Sequence, residues 1–308
     1  MVQKNIGKNQ KNVIDTYQFI CYAKTNKNMG GIKVVNNPGL HKQLEERKVL
    51  LAAHRGTCGG NIIQNTIGAY ENALLHGADI IEVDVVRTTD GKFFAFHNGQ
   101  EKGVFGKPLD IRTLSSDQVR ELRFINGIQE QIGEGVNSLD DILEHFKGRC
   151  LINIDRTWFF WNDIIAYLKR HNMQDQIILK SHPEEGELKL LEELARDMMF
   201  LPIVRTPEQI ELVNRYHINT IGAEVIFETD DHLFASDEFI GKMHGAGKLL
   251  WVNALTLNDT TRLSGGHDDN TAILKNMEEG WGWLLDKKFD MIQTDWPLLL
   301  RNYIDQRR

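Results

Sequence analysis

Three carboxylate side chains lie within or directly after two short apolar runs of the sequence. Glu82 and Asp84 lie within the run Ile80–Val86, and Asp155 comes directly after the run Leu151–Ile154. Three carboxylates brought to one place repel one another strongly unless protons or a divalent cation neutralise them. Oxygen ligands suit Mg²⁺ or Ca²⁺ better than zinc, which prefers histidine and cysteine. The sequence therefore predicts one divalent cation, Mg²⁺ or Ca²⁺, held by these three side chains.

Two histidines and several cationic residues accompany these carboxylates. His54 and Arg55 follow the apolar run Val49–Ala53, and His97 comes after a predicted turn. A histidine titrates near neutrality and is suited to moving a proton to or from oxygen. Cations and a metal ion suit a phosphoryl group, whose oxygens gain negative charge in the transition state. These residue types together predict a site that cleaves a phosphodiester.

Three other residues are candidates for contact with the substrate. Lys180 follows a predicted strand and can bind phosphate, although it can equally be a solvated strand end. Gln64 can line the site or simply donate hydrogen bonds within a loop. Trp251 can close the pocket or fill the interior of the barrel. The aromatic run Trp158–Trp161 follows Asp155 and is expected to pack under the inserted cap. The alternatives are an apolar wall for an acyl or alcohol moiety and contact with a membrane.

The elements that position these residues alternate regularly from residue 49 onward. Continuous apolar runs are typical of strands covered on both faces, as in parallel sheets. The runs are Val49–Ala53, Ile80–Val86, Leu151–Ile154, Ile177–Leu179, Phe200–Val204, Thr220–Val225, Leu249–Val252 and Met291–Gln293. Amphipathic stretches between them predict the helices Thr66–His76, Ser138–Phe146, Phe160–His171, Glu184–Arg196, Pro207–Tyr216, Asp237–Gly245, Asp269–Asp286 and Pro297–Asp305.

Eight strands alternating with eight helices predict an α/β fold of the (β/α)8 TIM barrel type. The alternative is an open, doubly wound sheet, which needs a glycine-rich phosphate loop after an early strand. The stretch 54–60 is rich in glycine but lacks the required GxGxxG spacing. The barrel is therefore favoured, and its active site is expected at the carboxyl ends of the strands.

A hairpin and a small insertion interrupt the alternation after the second strand. The sequence Thr88-Thr89-Asp90-Gly91 predicts a two-residue type I′ turn at Asp90-Gly91. That turn would place His97 directly opposite Asp84, with Glu82 on the same face. Residues 98–137 would then form an inserted cap on the side of the barrel that carries the site.

The remaining domain assignment divides the chain into an N-terminal extension, residues 1–47, and a barrel, residues 48–308. The extension is polar, with a helix expected only at Leu40–Lys48, and we expect it to be an arm or a lid at the bottom of the barrel.

Composition narrows the classes of function. The 308 residues carry a formal net charge of −7, from 36 Lys+Arg and 43 Asp+Glu, which disfavours a nucleic-acid binder. Three cysteines without CxxC spacing favour a reducing compartment. No run approaches the length of a membrane helix, and the apolar run at 19–23 is too short for a signal peptide. We expect a cytoplasmic protein with a small-molecule phosphodiester substrate, no nucleic-acid partner and no stable membrane insertion.

Ordered motifs across residues 49 to about 300 resemble the glycerophosphodiester phosphodiesterases. The motifs are His54-Arg55-Gly56, Gln64-Asn65-Thr66, Gly77-Ala78-Asp79-Ile80-Ile81-Glu82-Val83-Asp84, Thr88-Thr89-Asp90-Gly91, His97, Val136-Asn137-Ser138-Leu139 and Ile292-Gln293-Thr294-Asp295-Trp296-Pro297. The family is a metal-dependent barrel that hydrolyses glycerophosphodiesters to glycerol 3-phosphate and an alcohol. The resemblance implies that His54 and His97 are the acid/base pair, that Glu82, Asp84 and Asp155 bind the metal, and that Arg55 contacts phosphate.

Three positions depart from the family pattern. The family usually has Glu at the position of Gln64 and Asp at the position of Asn98. Its third ligand is usually Glu, followed two residues later by Lys, whereas this chain has Asp155-Arg156-Thr157. Arg156 or Lys180 can supply the missing cation.

The expected function is divalent-metal-dependent hydrolysis of glycerophosphodiesters, with His54 removing the proton of the nucleophile and His97 protonating the leaving alcohol, or the reverse. The alternatives are a lysophospholipase D-like enzyme, an enzyme that stops at a cyclic phosphate, and a non-catalytic barrel that binds a phosphorylated ligand. The leaving alcohol, the choice between Mg²⁺ and Ca²⁺ and the oligomeric state stay open.

Overall fold

The computed structural model describes residues 37–307. The first helix, α1, spans Pro38–Arg47 and confirms the short helix expected at the end of the N-terminal extension. Its Leu40 is buried against the lower end of the barrel interior. The expectation that the extension forms an arm or a lid concerns residues 1–36, which lie outside the described residues.

Eight parallel strands close into a barrel. They are β1 (Leu50–Ala53), β2 (Ile80–Arg87), β4 (Leu151–Asp155), β5 (Ile177–Ser181), β6 (Met199–Val204), β7 (Gly222–Val225), β8 (Leu249–Asn253) and β9 (Met291–Thr294), with the short antiparallel β3 (Phe93–Ala95) attached to β2. Strand β1 pairs with β2 on one side and with β9 on the other, which completes the ring. The predicted (β/α)8 barrel is confirmed.

Side chains alternate between the interior of the barrel and the layer of surrounding helices. On β2, Ile81 and Val83 belong to the buried cluster beneath the helices, whereas Ile80 packs inside the barrel. Glu82 and Asp84 therefore point inward, two and four residues above Ile80. On β5, β7 and β8, Lys180, Glu224 and Asn253 likewise contact one another inside the ring.

In the part of the chain that the structure describes, eleven further helices surround the strands. They are α2 (Ile67–Leu75), α3 (Glu101–Phe105), α4 (Ser116–Arg120), α5 (Leu139–Phe146), α6 (Trp161–Arg170), α7 (Glu185–Leu194), α8 (Pro207–Val213), α9 (Asp237–Gly245), α10 (Asp269–Leu274), α11 (Trp283–Asp286) and α12 (Pro297–Gln306). Within residues 37–307, no helix combines the length and the apolar character needed to cross a bilayer.

One predicted helix, Asp269–Asp286, is wrong as a continuous element. The segment contains α10, one wide π-type turn at Glu278–Gly282, and α11. It folds back on itself at Gly280, where a Cβ atom would lie 2.6 Å from the backbone nitrogen of Ala272. This close approach requires glycine, and an amphipathic pattern alone does not reveal it.

The hairpin is present, but its predicted turn type and register are wrong. Only Gly91 of the turn has a positive φ, of 75°, so the turn is not type I′. The amide of Gly91 donates to Thr88 O, and the last pair on either side is Arg87 with Phe93. The register therefore shifts by one residue. Phe96, not His97, lies opposite Asp84, and the amide of Phe96 donates a 2.9 Å hydrogen bond to the carbonyl of Asp84.

The insertion after the hairpin has a small apolar core of its own. Phe96, Phe105 and Phe124 stack in sequence, with ring centroids 5.2 Å apart in each pair. Ile111 and Val119 are buried beside them. The predicted insertion after the hairpin is confirmed, and its core anchors the segment that carries His97.

Candidate active site and metal centre

Three carboxylates converge at the carboxyl ends of β2 and β4. Glu82, Asp84 and Asp155 each offer an oxygen, and these oxygens lie within 4.8 Å of one another. The parallel pairing of β2 with β4 places Asp84 directly beside Asp155. Glu82 and Asp84 are almost fully buried, with exposures of 1% and 3%. The register of two strands thus creates the cluster that the sequence predicted.

The electrostatics of this cluster are those of a cation site. Burial, followed by repulsion from Asp84 and Asp155, raises the pKa of Glu82 well above its usual range, although Arg55 opposes the shift. Burial and the neighbouring Asp84 raise the pKa of Asp155 to about 6, against the lowering effect of Lys180. Converging oxygen donors that repel one another suit a hard divalent cation. The cluster can therefore hold a metal ion, and its donor atoms fit the predicted Mg²⁺ or Ca²⁺.

Backbone and side-chain donors hold the carboxylates in place. The amide of Arg55 donates to Glu82 Oε2 at 2.8 Å, and Arg55 Nε lies 3.0 Å from Asp84 Oδ2. Asn65 Nδ2 donates to the same Asp84 oxygen at 3.0 Å, and Tyr70 Oη donates to Asn65 Oδ1 at 2.8 Å. Arg55 and Asn65 both have positive φ angles, 57° and 58°. The loop after β1 is therefore bent sharply to bring these donors to the carboxylates.

Gln64 lies beside the guanidinium of Arg55. Its Oε1 accepts a long hydrogen bond of 3.4 Å from Arg55 Nη1. The structure places Gln64 next to the predicted phosphate-binding arginine and leaves it partly exposed. Its predicted role in substrate binding stays a prediction.

His54 is paired with a carboxylate from the opposite end of the sequence. His54 Nδ1 lies 2.9 Å from Asp295 Oδ1, and the backbone amide of His54 donates to Thr294 O at 3.2 Å. A carboxylate oxygen accepts here, so a neutral His54 imidazole carries its proton on Nδ1 and keeps the lone pair on Nε2. The pairing fixes both the tautomer and the orientation of the ring.

His97 is held by a cation rather than by a carboxylate. Arg156 Nη1 donates to His97 Nε2 at 3.3 Å, and Arg156 Nη2 donates to Asn98 Oδ1 at 2.9 Å. Within residues 37–307, the buried Nδ1 of His97 has no hydrogen-bond partner. Burial and the cations Arg55 and Arg156 lower the pKa of His97, although Asp84 acts in the opposite direction. An unpaired donor of this kind is free to meet an oxygen of a bound molecule.

Lys180 and Trp251 lie inside the barrel and contact each other. Lys180 Nζ is 3.3 Å from the centre of the Trp251 ring and 2.7 Å from Glu224 Oε2. Glu224 Oε1 accepts from Asn253 Nδ2, whose Oδ1 accepts from Trp251 Nε1. Lys180 and Trp251 are 1% and 0% exposed. The two residues form part of one closed hydrogen-bonded network, and their contact with a substrate stays a prediction.

The aromatic run after β4 divides between packing and exposure. Trp161 is buried, and Phe160 stacks on Phe93 at 5.6 Å. Phe159 is 74% exposed, and Trp158 packs edge-on against His182. Phe160 and Trp161 therefore pack against β3 and the helix layer, and an apolar wall for a substrate moiety stays a prediction.

The sequence interpretation gave no role to two residues that organise the site. Asn65 orients Asp84, and Asp295 orients His54. Both lie in motifs that carried the family resemblance, so the signal was present in the sequence. Their function depends on contacts between loops that are distant in the chain, and local spacing does not reveal such contacts.

Comparisons with known proteins agree with this fold. A family model described as a domain of unknown function, DUF4996, matches residues 199–304. A glycerophosphodiester phosphodiesterase of Bacillus altitudinis is 25% identical over 225 residues, which are 67% of this chain and 89% of that protein.

Two solved structures show the same barrel. A glycerophosphoryl diester phosphodiesterase from Parabacteroides distasonis has a TM-score of 0.73 at 16% identity, over 91% of this chain and 95% of the other. A phosphodiesterase from Oleispira antarctica in complex with the product sn-glycerol-3-phosphate has a TM-score of 0.59 at 15% identity, over 83% of this chain and 96% of the other. The resemblance found in the sequence motifs is thus confirmed: the chain is similar to glycerophosphodiester phosphodiesterases in sequence and in its barrel fold.

Proposed function

We propose that this protein is a phosphodiesterase that hydrolyses glycerophosphodiesters to glycerol 3-phosphate and an alcohol. The observation that carries the proposal is the buried cluster of Glu82, Asp84 and Asp155, together with the separate partners that hold His54 and His97. The names of the relatives and the product bound to a structural neighbour support the same substrate class.

Glu82, Asp84 and Asp155 would hold one divalent cation, Mg²⁺ or Ca²⁺. When bound, the cation neutralises the carboxylates and supplies positive charge to the phosphate oxygens. Arg55 contacts Glu82 and Asp84 from one side, so its guanidinium is placed to help to bind a phosphate at the cluster. Arg156, which follows Asp155 and faces His97, is a second cation at the edge of the site.

His54 acts as the general base. Its Nε2 lone pair takes the proton of the nucleophile, which is either water or a hydroxyl of the substrate. Asp295, bonded to Nδ1, stabilises the imidazolium that forms, as the carboxylate does in a serine protease triad. His97 acts as the general acid: its imidazolium form donates a proton to the oxygen of the leaving alcohol and becomes the neutral imidazole.

The assay for this proposal is release of glycerol 3-phosphate from glycerophosphocholine, with and without EDTA. We expect release that depends on an added divalent cation and that is lost in His54→Ala. Metal-independent turnover, or full activity of His54→Ala, would contradict the mechanism. Ligand-induced stabilisation without turnover on a broad panel of phosphodiesters would instead favour a non-catalytic phospho-ligand-binding barrel, the alternative that the departures at Gln64 and Asn98 motivate.

A second candidate substrate class is a lysophospholipid. Phe159 and Trp296 are 74% and 51% exposed. Phe159 comes after β4, which carries Asp155, and Trp296 comes directly after Asp295, which follows β9. Exposed aromatic side chains at these positions suit an alkyl or acyl chain on the leaving or retained group. Comparing turnover of lysophosphatidylcholine with that of glycerophosphocholine distinguishes the two classes, and ³¹P NMR of the products distinguishes hydrolysis from formation of a cyclic phosphate.

A further inference from the structure

A buried carboxylate that belongs to none of the predicted roles lies behind the end of β9. Asp269, the first residue of α10, is 2% exposed. Its Oδ1 accepts hydrogen bonds of 2.8 Å from Trp281 Nε1 and from Thr294 Oγ1, and its Oδ2 accepts one of 2.9 Å from the amide of Asp295. The carboxylate is thus surrounded by donors.

These hydrogen bonds stabilise the ionised form of the carboxylate. The Trp281 Nε1 and Asp295 N–H groups can only donate, and they meet different oxygens of Asp269, so both oxygens must accept. Burial raises the pKa of Asp269 to about 7, and the three donors act against this shift. A buried carboxylate is costly to a fold unless its hydrogen bonds compensate. The position of Asp269 therefore calls for a specific role.

That role is visible in the backbone that Asp269 holds. Asp269 binds the amide of Asp295 directly and the hydroxyl of Thr294. Thr294 Oγ1 in turn accepts from the amide of Trp296 at 2.9 Å, and Thr294 O accepts from the amide of His54. One side chain thus fixes three successive residues at the point where β9 contacts the loop that carries His54.

The side chain of Asp295 needs this support. It is 46% exposed, and within residues 37–307 its carboxylate hydrogen-bonds only to His54. A half-exposed carboxylate has little packing to restrict its rotamers, so its place is set mainly by its own backbone. The 2.9 Å distance between His54 Nδ1 and Asp295 Oδ1 is therefore maintained from behind by Asp269.

We propose that Asp269 is a positioning residue, which fixes residues 294–296 so that Asp295 orients the imidazole of His54. The inference rests on the proposed function, in which His54 transfers a proton. It also explains why the broken segment α10–α11 packs against β9: Trp281, from its wide turn, supplies one of the donors that hold Asp269 in place.

A matched control exists at the opposite end of the barrel. Asp79 is also buried, at 7% exposure, and its Oδ2 accepts from the amide of Leu51 at 2.9 Å. It therefore holds a strand backbone as Asp269 does, but at the start of β1 rather than at the site. Asp79→Asn and Asp269→Asn each replace one accepting oxygen by an amide nitrogen that cannot accept.

The test compares Asp269→Asn, Asp79→Asn, Asp295→Asn and the double variant of Asp269 and Asp295 in the full chain with added Mg²⁺. We expect Asp269→Asn to lower kcat roughly ten- to hundredfold with KM little changed, because a small displacement of a catalytic group is costly. Asp79→Asn should lower the thermal midpoint without such a loss of kcat. The double variant should be no slower than Asp295→Asn alone, because the two residues act in series.

A second measurement does not depend on turnover. The hydrogen-bonded Nδ1 proton of His54 gives a downfield ¹H NMR signal, identified by its absence in His54→Gln. We expect Asp269→Asn to shift or broaden this signal and Asp79→Asn to leave it unchanged. If the wild-type protein hydrolyses no phosphodiester, the proposed function fails, and the signal alone decides whether Asp269 positions His54.

Three outcomes would overturn the inference. They are an unchanged His54 signal in folded Asp269→Asn, losses of kcat that add in the double variant, and an equal loss of kcat in Asp79→Asn. If Asp269→Asn does not fold, Thr294→Val removes the hydroxyl that links Asp269 to the amide of Trp296. Thr294→Val should then shift the same signal, and an unshifted signal in that variant would overturn the inference as well.

Discussion

His54 Nδ1 lies 2.9 Å from Asp295 Oδ1, although 241 positions separate the two residues in the chain. Closure of the barrel between β1 and β9 brings them together, because Ala53 pairs with Thr294 immediately before them. A histidine whose tautomer is fixed by a carboxylate is a better general base than a free one, because the carboxylate stabilises the imidazolium.

Asp295→Asn should therefore lower kcat by roughly 10²-fold or more, the lower range for loss of general acid–base catalysis. The KM should change little, since Asp295 is not placed at the carboxylate cluster. The measurement is steady-state release of glycerol 3-phosphate. Asp230→Asn is a suitable control, because Asp230 Oδ1 lies 2.8 Å from His267 Nε2 in a similar pair after β7. An equal loss of kcat in that control would contradict the assignment.

Cation binding should depend on the buried carboxylates. EDTA should abolish activity, and Mg²⁺ or Ca²⁺ should restore it. At a concentration about 100 times its dissociation constant, the cation should stabilise the wild-type protein by about 2.7 kcal/mol. In Glu82→Gln this stabilisation should largely disappear, as followed by thermal unfolding.

Glu101→Gln provides the control for cation binding. Glu101 is also buried, but it lies in the insertion and accepts from the amide of Gly99. The cation should stabilise this variant as it does the wild type. A full thermal response in Glu82→Gln would remove that residue from the metal site.

The stability of the metal-free protein should fall as pH rises. Burial and Asp84 raise the pKa of Asp155 from 3.8 to about 6, so the folded state binds a proton that the unfolded chain has lost between these values. The contribution of Asp155 to the free energy of unfolding is therefore largest below pH 4. It declines as the pH rises through about 6, by at most about 3 kcal/mol in total. The raised pKa of Glu82 acts in the same direction. Urea unfolding in EDTA between pH 4 and 8 measures the effect, and saturating Mg²⁺ should reverse it; a rise of stability through pH 6 in EDTA would contradict it.

The pH profile should reveal the role of His97. If His97 is the acid, kcat/KM falls as pH rises through its pKa, which burial and the cations Arg55 and Arg156 lower. Arg156→Gln removes one cation, so the pKa of His97 should rise and the alkaline limb should move to higher pH. Arg215→Gln, which changes an exposed residue after α8, should leave the limb in place.

The same variant distinguishes the two assignments of the histidines. Movement of the acid limb in Arg156→Gln, with the alkaline limb unchanged, would make His97 the base and His54 the acid. A profile in which neither limb moves would show that the Arg156–His97 contact does not act on the rate-determining proton transfer.

The sequence by itself determined the eight strands, their order, the common face of Glu82 and Asp84, and the place of Asp155 at the end of the next strand. This information is local, because continuous apolar runs identify buried parallel strands and the period of two fixes the face of each residue. Ordered motifs then gave the fold class and the candidate residues. His54 and Arg55 were identified in the same way, from their place directly after a strand.

The tertiary structure alone decided which partners these residues have. In the hairpin turn only Gly91 has a positive φ, and the register differs by one residue from the predicted one. Phe96 therefore lies opposite Asp84, where His97 was predicted. The pairing of Lys180 with Glu224 and the support of Asp295 by Asp269 join segments from different parts of the ring. Such contacts arise when the barrel closes and its loops pack, and the spacing of residues along the chain carries no information about them.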